Sequence, residues 1–430
     1  MKALIISYYF PPYGGGATVR IHSFVKYLPK EGIIPIILTA KSEYYDSTYL
    51  DNQLLTEYWA DVTIYRSKVL FGGTLKKAKE EALVGAEESF SLKRSVKKAI
   101  KNLLIPDEHI FWLMGSLGSI KDIMRQHKID VIISTGPPFS AHLLAALIAR
   151  KYNILTILDY RDLWSDNEFY SKGKLSNKLH SLLEKFTINS AKHVICTNLA
   201  AKKAMITKFE LEHSNISVIE NGYDGEVLFD ALHNANKPLS DKIIRINYIG
   251  SLTRKRTPKY FLLAVKKFTQ LYSTKTIEIG FIGYTADSHI KLVHDMNLES
   301  VVKFYGSVPR KQALEIMCNS EVLVILQRKS EGGRTAIPGK LYEYLAIGKP
   351  IITMDEGFGA SSQFLQSLKL PFISEYDDVD AILGNIVKIY FNYKDIHSQF
   401  LSQKNIVKTY ERSEQAKKLA YIVTKKIHED

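Results

Sequence analysis

The sequence predicts an α/β chain built from two doubly wound domains, and three observations carry that prediction. Apolar, Ile- and Val-rich runs of strand length alternate with helix-length segments from one end of the chain to the other. These runs do not alternate with polar residues, as expected of parallel strands buried on both faces. The pattern breaks once, at a polar aperiodic stretch, and then restarts.

The first strand is read at "ALIISYY", followed by a helix from about Thr18 to Leu28 and a strand at "IPIILTA". Residues 41–90 give no clear period and are read as irregular elaborations of the first domain. Strands resume at "VIISTG", "TILDYRD", "HVICTN" and "ISVIENG", with helix-length segments between them. "DALHNANKPLSDK", Asp230 to Lys242, reads as the linker. "IIRINYIGS", "IEIGFIGY", "VVKFYGSV", "EVLVILQR" and "KPIITM" then give the strands of a second domain of the same class. A final helix, about Arg412 to Ile427, carries Leu419, Ile422, Val423 and Ile427 on one face and can pack across either domain. The expected division is 1–235 and 236–410, with 411–430 as a C-terminal helix crossing back to the first domain. Two such domains suggest a ligand in a cleft outside the carboxyl ends of the strands.

With 430 residues, 46% hydrophobic and 24% charged, the composition is that of a folded chain of two ordinary domains. Its two cysteines, Cys196 and Cys318, are far apart in apolar surroundings, which fits a reducing compartment and excludes a disulfide framework. "MKALIISYYFPP" lacks the long apolar region and small-residue site of a signal peptide, and no run approaches the roughly 18 apolar residues of a membrane span. A cytoplasmic protein is expected. The formal charge of +13 asks for an acidic partner. "LKRSVKKAIKNLLI", Leu92 to Ile105, places apolar residues at helical spacing among basic ones and contains no acid. Such a helix either lies on an anionic membrane surface or packs on its own domain with a solvated lysine face. Nucleic acid is not expected, because no recognition module or aromatic interleaving accompanies the lysines.

Three stretches carry chemistry. In "YYFPPYGGGATVR", Gly14, Gly15 and Gly16 follow a strand and precede a helix, where backbone amides can approach a phosphate or simply make a flexible turn. In "YIGSLTRKRTPKY", Arg254, Lys255 and Arg256 follow a strand ending at Gly250; they suit a diphosphate or form a solvated basic loop. In "AIPGKLYEYLAIGKPIIT", Pro338 fits the first turn of a helix, with Gly332, Gly333 and Gly339 keeping the approach open to an anion. Glu343 then lies about one turn inside. It can accept hydrogen bonds from two adjacent ribose hydroxyls, or pair with Lys340 three residues before it.

Taken together, "GSLTRKR", "YGSVPRKQALEIMCNSEVLVI" and "PGKLYEYLAIGKPII" resemble the nucleotide-sugar domain of GT-B glycosyltransferases, specifically the retaining family 4. "PPYGGGATVR", "STGPPFSAHLLA", "DYRDLW" and "IENGYD" resemble the acceptor-side domain of that family, and the motifs keep its order over nearly the whole chain. The resemblance implies that Glu343 binds the donor ribose and that the amides of Gly339, Lys340 and Leu341 hold donor phosphate. It implies diphosphate contacts from Lys255 or Arg256, with Arg254 also in reach, and closure of the Gly14–Gly16 loop over the same diphosphate. The segment from Gly306 through Val308 to Arg310 would lie by the nucleobase.

Two departures stand out. The family's second glutamate, eight residues before the ribose-binding one, is Thr335 here. Sugar recognition would then use Glu331, Arg334 or the backbone of Gly332 and Gly333. The His-Asp pair of many members is Arg161-Asp162 here, and Arg161 can stabilise phosphate or orient Asp162 but cannot act as a neutral base. Asp162 can equally be a structural partner of Arg161.

The resemblance implies transfer of a sugar from a nucleoside-diphosphate sugar to an acceptor hydroxyl with retention, in bacterial polysaccharide assembly (capsule, O-antigen or exopolysaccharide). The acceptor would be a sugar or lipid-linked, with the protein peripheral on the inner face of the membrane. No metal or other cofactor is expected, since Lys255 and Arg256 supply the countercharge and no Asp-x-Asp or Cys/His cluster is present. A GT-B nucleotide-sugar epimerase and a non-catalytic nucleotide-sugar-binding protein are the rivals.

Overall fold

A computed structural model describes residues 1–14, 16–55, 59, 61–71, 104–165, 173–234, 243–254, 256–327 and 331–429. The chain forms two compact units, one of Met1–Glu220 with Arg412–Asp430, the other of Asn221–Glu411.

The first unit is built on strands β1 (Lys2–Ile6), β2 (Ile34–Ala40), β3 (Thr63–Ser67), β4 (Val131–Gly136), β5 (Leu155–Tyr160), β6 (His193–Cys196) and β7 (Ile216–Val218). They pair in parallel in the order β3-β2-β1-β4-β5-β6-β7. The strand period of two sends successive residues to opposite faces. Leu4, Ile6, Ile132 and Leu158 face a core with Trp112, Phe139 and Trp164. Ala3, Ile5, Ile133 and Ile157 face the other core, with Phe24, Leu419 and Val423. Both faces are covered, which is why these runs are continuously apolar.

The second core depends on the end of the chain. Helix Arg412–His428 packs on helix Gly16–Tyr27, and Ala416, Leu419 and Val423 are fully buried there. Arg412 opens that helix and fastens it: Nη1 donates to the Val19 carbonyl at 2.6 Å and to Ser23 Oγ at 2.9 Å.

The second unit has strands β8 (Ile243–Ile249), β9 (Thr276–Ile282), β10 (Val302–Gly306), β11 (Val322–Leu326), β12 (Ile351–Asp355) and β13 (Ile373–Glu375). They are parallel in the order β10-β9-β8-β11-β12-β13. In each sheet the order reverses at one point, between β1 and β4 and between β8 and β11. The carboxyl ends on either side of that point are where a doubly wound sheet binds ligands.

Some expectations need correcting. Residues 41–71 are not only irregular, because β3 is an edge strand of the first sheet. Strand β13 has a single apolar residue, Ile373, followed by Ser374 and Glu375, and so leaves no apolar run in the sequence. The units divide at Glu220/Asn221 instead of 235/236, since helix Gly225–Asn234 packs on helices Arg310–Cys318 and Gly339–Ile347 of the second unit. The basic segment 92–105 lies, through residue 103, outside the described residues. Among the described residues, no helix is long and apolar enough to cross a membrane.

Candidate active site

In the second unit, helix Gly339–Ile347 sits against the carboxyl end of β8. Pro338 has extended backbone and is the N-cap, one position outside the first turn where the sequence placed it. Gly339 opens the helix with open space where a Cβ would be. Leu341 is less available than the resemblance implied, because its amide already donates to the Pro338 carbonyl at 2.9 Å.

Glu343 follows one turn later, only 5% exposed. Its partner is Arg310, not Lys340. Arg310 is the first residue of helix Arg310–Cys318, just after the Gly306–Pro309 turn. Nη1 meets Oε2 at 3.2 Å and Nη2 meets Oε1 in a closer contact, a fork on both carboxylate oxygens. Burial pushes the Arg310 pKa down, but Glu343 outweighs it and holds the guanidinium more firmly charged than usual. A small pocket beside this pair is lined by Tyr223, Asp224, Leu228, Arg310 and Glu343. Val308, in the turn before Arg310, is half-buried.

Lys340 points the other way. Its Nζ donates to the Ile249 carbonyl at 2.8 Å and lies 3.7 Å from the centre of the Tyr248 ring. Burial, and then the neighbouring Arg256 charge, push its ammonium pKa well below the usual lysine range, while Glu343 opposes them. Arg256 Nη1 reaches Tyr248 Oη at 3.4 Å and the Ser251 carbonyl at 3.5 Å. Its Nε is buried with no partner among the described residues. Arg254 is exposed at the tip of the same loop, and Lys255 lies outside the described residues. The amides of three strand-end glycines line this edge: Gly250 (φ 141°), Gly283 (φ 128°) and Gly306 (φ 67°). The Gly250 amide donates to Ile282, and the Gly283 amide to Gly306, each at 2.7 Å.

Farther along the edge, helix Glu331–Thr335 carries Gly333 buried, Arg334 exposed and Thr335 half-buried. The side chain of Glu331, like that of its neighbour at 332, is outside the described residues. Arg334 lies close to Gly357.

In the first unit, the glycine loop is tied to residues 49–51. Gly14 donates its amide to the Tyr49 carbonyl at 2.6 Å, and a Cβ there would fall 2.9 Å from that of Asp51. Gly14 is therefore glycine for close packing, and its amide is not available to a phosphate as the sequence suggested. Gly15 is outside the described residues, and Gly16 begins helix Gly16–Tyr27 with open space around it. Arg161, which the sequence offers as a phosphate contact or as the group that orients Asp162, turns its guanidinium inward: Nε reaches the Gly136 carbonyl at 3.3 Å and Nη2 the Pro137 carbonyl. It braces the turn after β4. Asp162, next in the chain, is exposed.

A model of Glycosyltransferase Family 4 matches residues 65–227, and a model of Glycosyl transferases group 1 matches residues 231–395. The chain belongs to the family 4-type GT-B glycosyltransferases. Sucrose-phosphate synthase (tll1590) from Thermosynechococcus elongatus is 13% identical and superposes with a TM-score of 0.69, covering 100% of both chains. Anabaena Alr3699/HepE in complex with UDP-glucose is 12% identical, TM-score 0.66, covering 99% of this chain and 100% of the other. WaaG, a glycosyltransferase involved in lipopolysaccharide biosynthesis, is 11% identical, TM-score 0.62, covering 98% and 99%. No curated protein matches by sequence.

Several features of this glycosyltransferase were missed from sequence. Arg20 and Asp159 form a buried ion pair in the first unit, Nη2 to Oδ1 at 2.8 Å, and Arg20 Nη1 holds the Glu220 carbonyl at 2.8 Å. Asp107 is buried and accepts from the Ser140 amide at 3.0 Å and Ser140 Oγ at 2.6 Å. Burial raises its carboxyl pKa, but His109 and Ser140 outweigh that and leave it below the usual range. In neither case do neighbouring residues in the sequence announce the partner. The strand-end glycines of this glycosyltransferase had a usable signal: "YIGS", "FIGY" and "FYGS" repeat an aromatic or Ile-Gly ending after three strands.

Proposed function

We propose that the protein transfers a sugar, with retention of anomeric configuration, from a nucleoside-diphosphate sugar to a hydroxyl of a sugar or lipid-linked acceptor in bacterial polysaccharide assembly. The observation that carries the reading is the buried carboxylate of Glu343, one turn inside a helix that starts at Pro338-Gly339 beside the Lys340, Tyr248 and Arg256 cluster. A ribose needs an ionised acceptor held in one orientation, and the Arg310 fork supplies that orientation. The UDP-glucose complex of HepE supports a donor of this class.

In this reading the bond from the anomeric carbon to the diphosphate oxygen breaks, and the acceptor oxygen bonds to that carbon from the same face. The acceptor proton passes to the departing phosphate oxygen. Negative charge grows on the diphosphate, so its countercharges set the barrier. Arg256 offers a buried Nε with no partner among the described residues, and Lys255 and Arg254 neighbour it in the sequence. A diphosphate arriving near Lys340 would favour its charged form, against the burial that disfavours it. Sugar recognition falls to the Glu331–Thr335 segment, with Gly333, Arg334 and Thr335 in place of the family's second glutamate. Arg161 acts by bracing the turn after β4 from its place beside Asp162 in the chain. Transfer without a metal is part of the proposal, and activity surviving a chelator is its test.

Glu343→Ala should raise the donor KM roughly tenfold to a hundredfold, the worth of a lost hydrogen bond to a charged group. An unchanged donor KM, in a variant whose melting curve matches the parent, would remove the ribose role. Retention is read separately, from the anomeric configuration of the product by NMR.

A further inference from the structure

We infer that the first unit docks on an anionic phospholipid bilayer through helix Lys174–Asn189 and the adjoining end of helix Ser140–Tyr152. The inference goes beyond the transfer reading and does not depend on it.

The Lys174–Asn189 helix turns the wrong residues outward for a solvated surface. Leu175, Leu179 and Leu182 are 73%, 41% and 55% exposed, while His180, Glu184, Thr187 and Ile188 are the buried ones. At about 3.6 residues per turn the exposed arc has two flanks. Lys174, Lys178 and Lys185 occupy one flank; Leu175, Leu179 and Leu182 occupy the other. The helix has one acid, Glu184, and it is 1% exposed, accepting from the Ser165 amide at 3.0 Å.

The neighbouring helix continues the pattern. Ser140–Tyr152 contains no acidic residue, and its outward positions include Leu147, Arg150 and Lys151. Arg150 Nε donates to Ser190 Oγ at 3.1 Å and its guanidinium lies 4.6 Å from the Phe186 ring centre, so the two outward faces meet. Leu147 is one turn from Arg150 on the same side. The combined face presents leucine and cations, with no exposed carboxylate on either helix.

That chemistry selects the occupant. Protein interfaces are enriched in aromatic residues and depleted in lysine, the reverse of this face. An anionic bilayer accepts both flanks at once: leucines enter the acyl boundary, and lysine stems lie along it with their ammonium groups among the phosphates. The chain's net charge of +13 acts in the same direction at longer range.

The test is co-sedimentation of the full chain with vesicles of phosphatidylglycerol and phosphatidylethanolamine, and with vesicles of phosphatidylcholine alone. The wild type should partition to the anionic vesicles only. Lys178→Glu/Lys185→Glu and, separately, Leu175→Ser/Leu179→Ser/Leu182→Ser should each lower that partition by roughly tenfold or more. These positions are exposed, and unchanged melting curves would show that both variants fold. The donor-induced rise in melting temperature, measured on the same preparations, reports the transfer site independently. A wild type that stays in the supernatant, or two variants that bind like the wild type, would overturn the docking surface.

Discussion

Glu343 and Lys340 stand three residues apart on one helix and have opposite fates. The carboxylate finds a guanidinium at the head of another helix, whereas the amine is drawn over a tyrosine ring and onto a strand-end carbonyl. Spacing in the sequence offered their mutual pairing; tertiary packing supplied better partners to both. The same holds for Arg20 and Asp159, whose pairing needs helix and strand to be already assembled. Glu343 itself was legible, because a lone carboxylate behind Pro-Gly needs no distant contact to be noticed.

His142 makes a residue-scale test of stability. It is fully buried, with Nδ1 2.7 Å from Ser134 Oγ, and burial lowers its pKa to about 3. The ordinary value is 6.5, so the folded state keeps it neutral where the unfolded chain takes up a proton. Stability from this group is therefore complete above pH 6.5 and is lost as pH falls below it, levelling near the folded value. The slope for one proton is about 1.4 kcal/mol per pH unit. Urea unfolding at pH 7.5 and pH 5 should show this loss in the wild type and a smaller one in His142→Gln. Equal losses in the two proteins would rule His142 out as the source.

At the scale of elements, the carboxyl edge of the second sheet is set by glycines at strand ends. A Cβ at Gly283 would lie 2.6 Å from the Gly250 carbonyl oxygen, which is backbone and cannot swing away. Gly283 also has φ 128°, a region that costs a side chain on the order of 1–3 kcal/mol. Gly283→Ala should lower the melting temperature by several degrees and weaken donor-induced stabilisation, because the edge itself shifts. A full donor response at the parent's melting temperature would show that the edge tolerates the change. Strands such as β4 and β11 were legible because unbroken apolar runs have few other uses. The glycine loop was not: the Tyr49 carbonyl that consumes the Gly14 amide comes from a segment without periodicity, so nothing local revealed the bond.

At the scale of the whole molecule, the first unit is discontinuous in sequence. Its second core contains Ala416, Leu419 and Val423 from the last helix, each fully buried. Burying a leucine or valine contributes about 1.5–3 kcal/mol, against a total stability for a domain of roughly 5–15 kcal/mol. A chain ending at Glu411 should therefore lose the unfolding transition of the first unit in calorimetry while keeping that of the second. Two intact transitions would mean that the terminal helix is dispensable. The two-domain plan was readable from the alternation of elements. The boundary was not, because helix Gly225–Asn234 belongs by packing, and not by composition, to the unit that follows it.

The late arrival of helix Arg412–His428 also bears on biosynthesis. As the chain leaves the ribosome, helix Gly16–Tyr27 emerges long before helix Arg412–His428, and its greasy side stays bare until that partner follows. A product stopped before Arg412 would carry this unsealed surface permanently, an open invitation to chaperones and proteases, so the first unit closes only once that helix has been made.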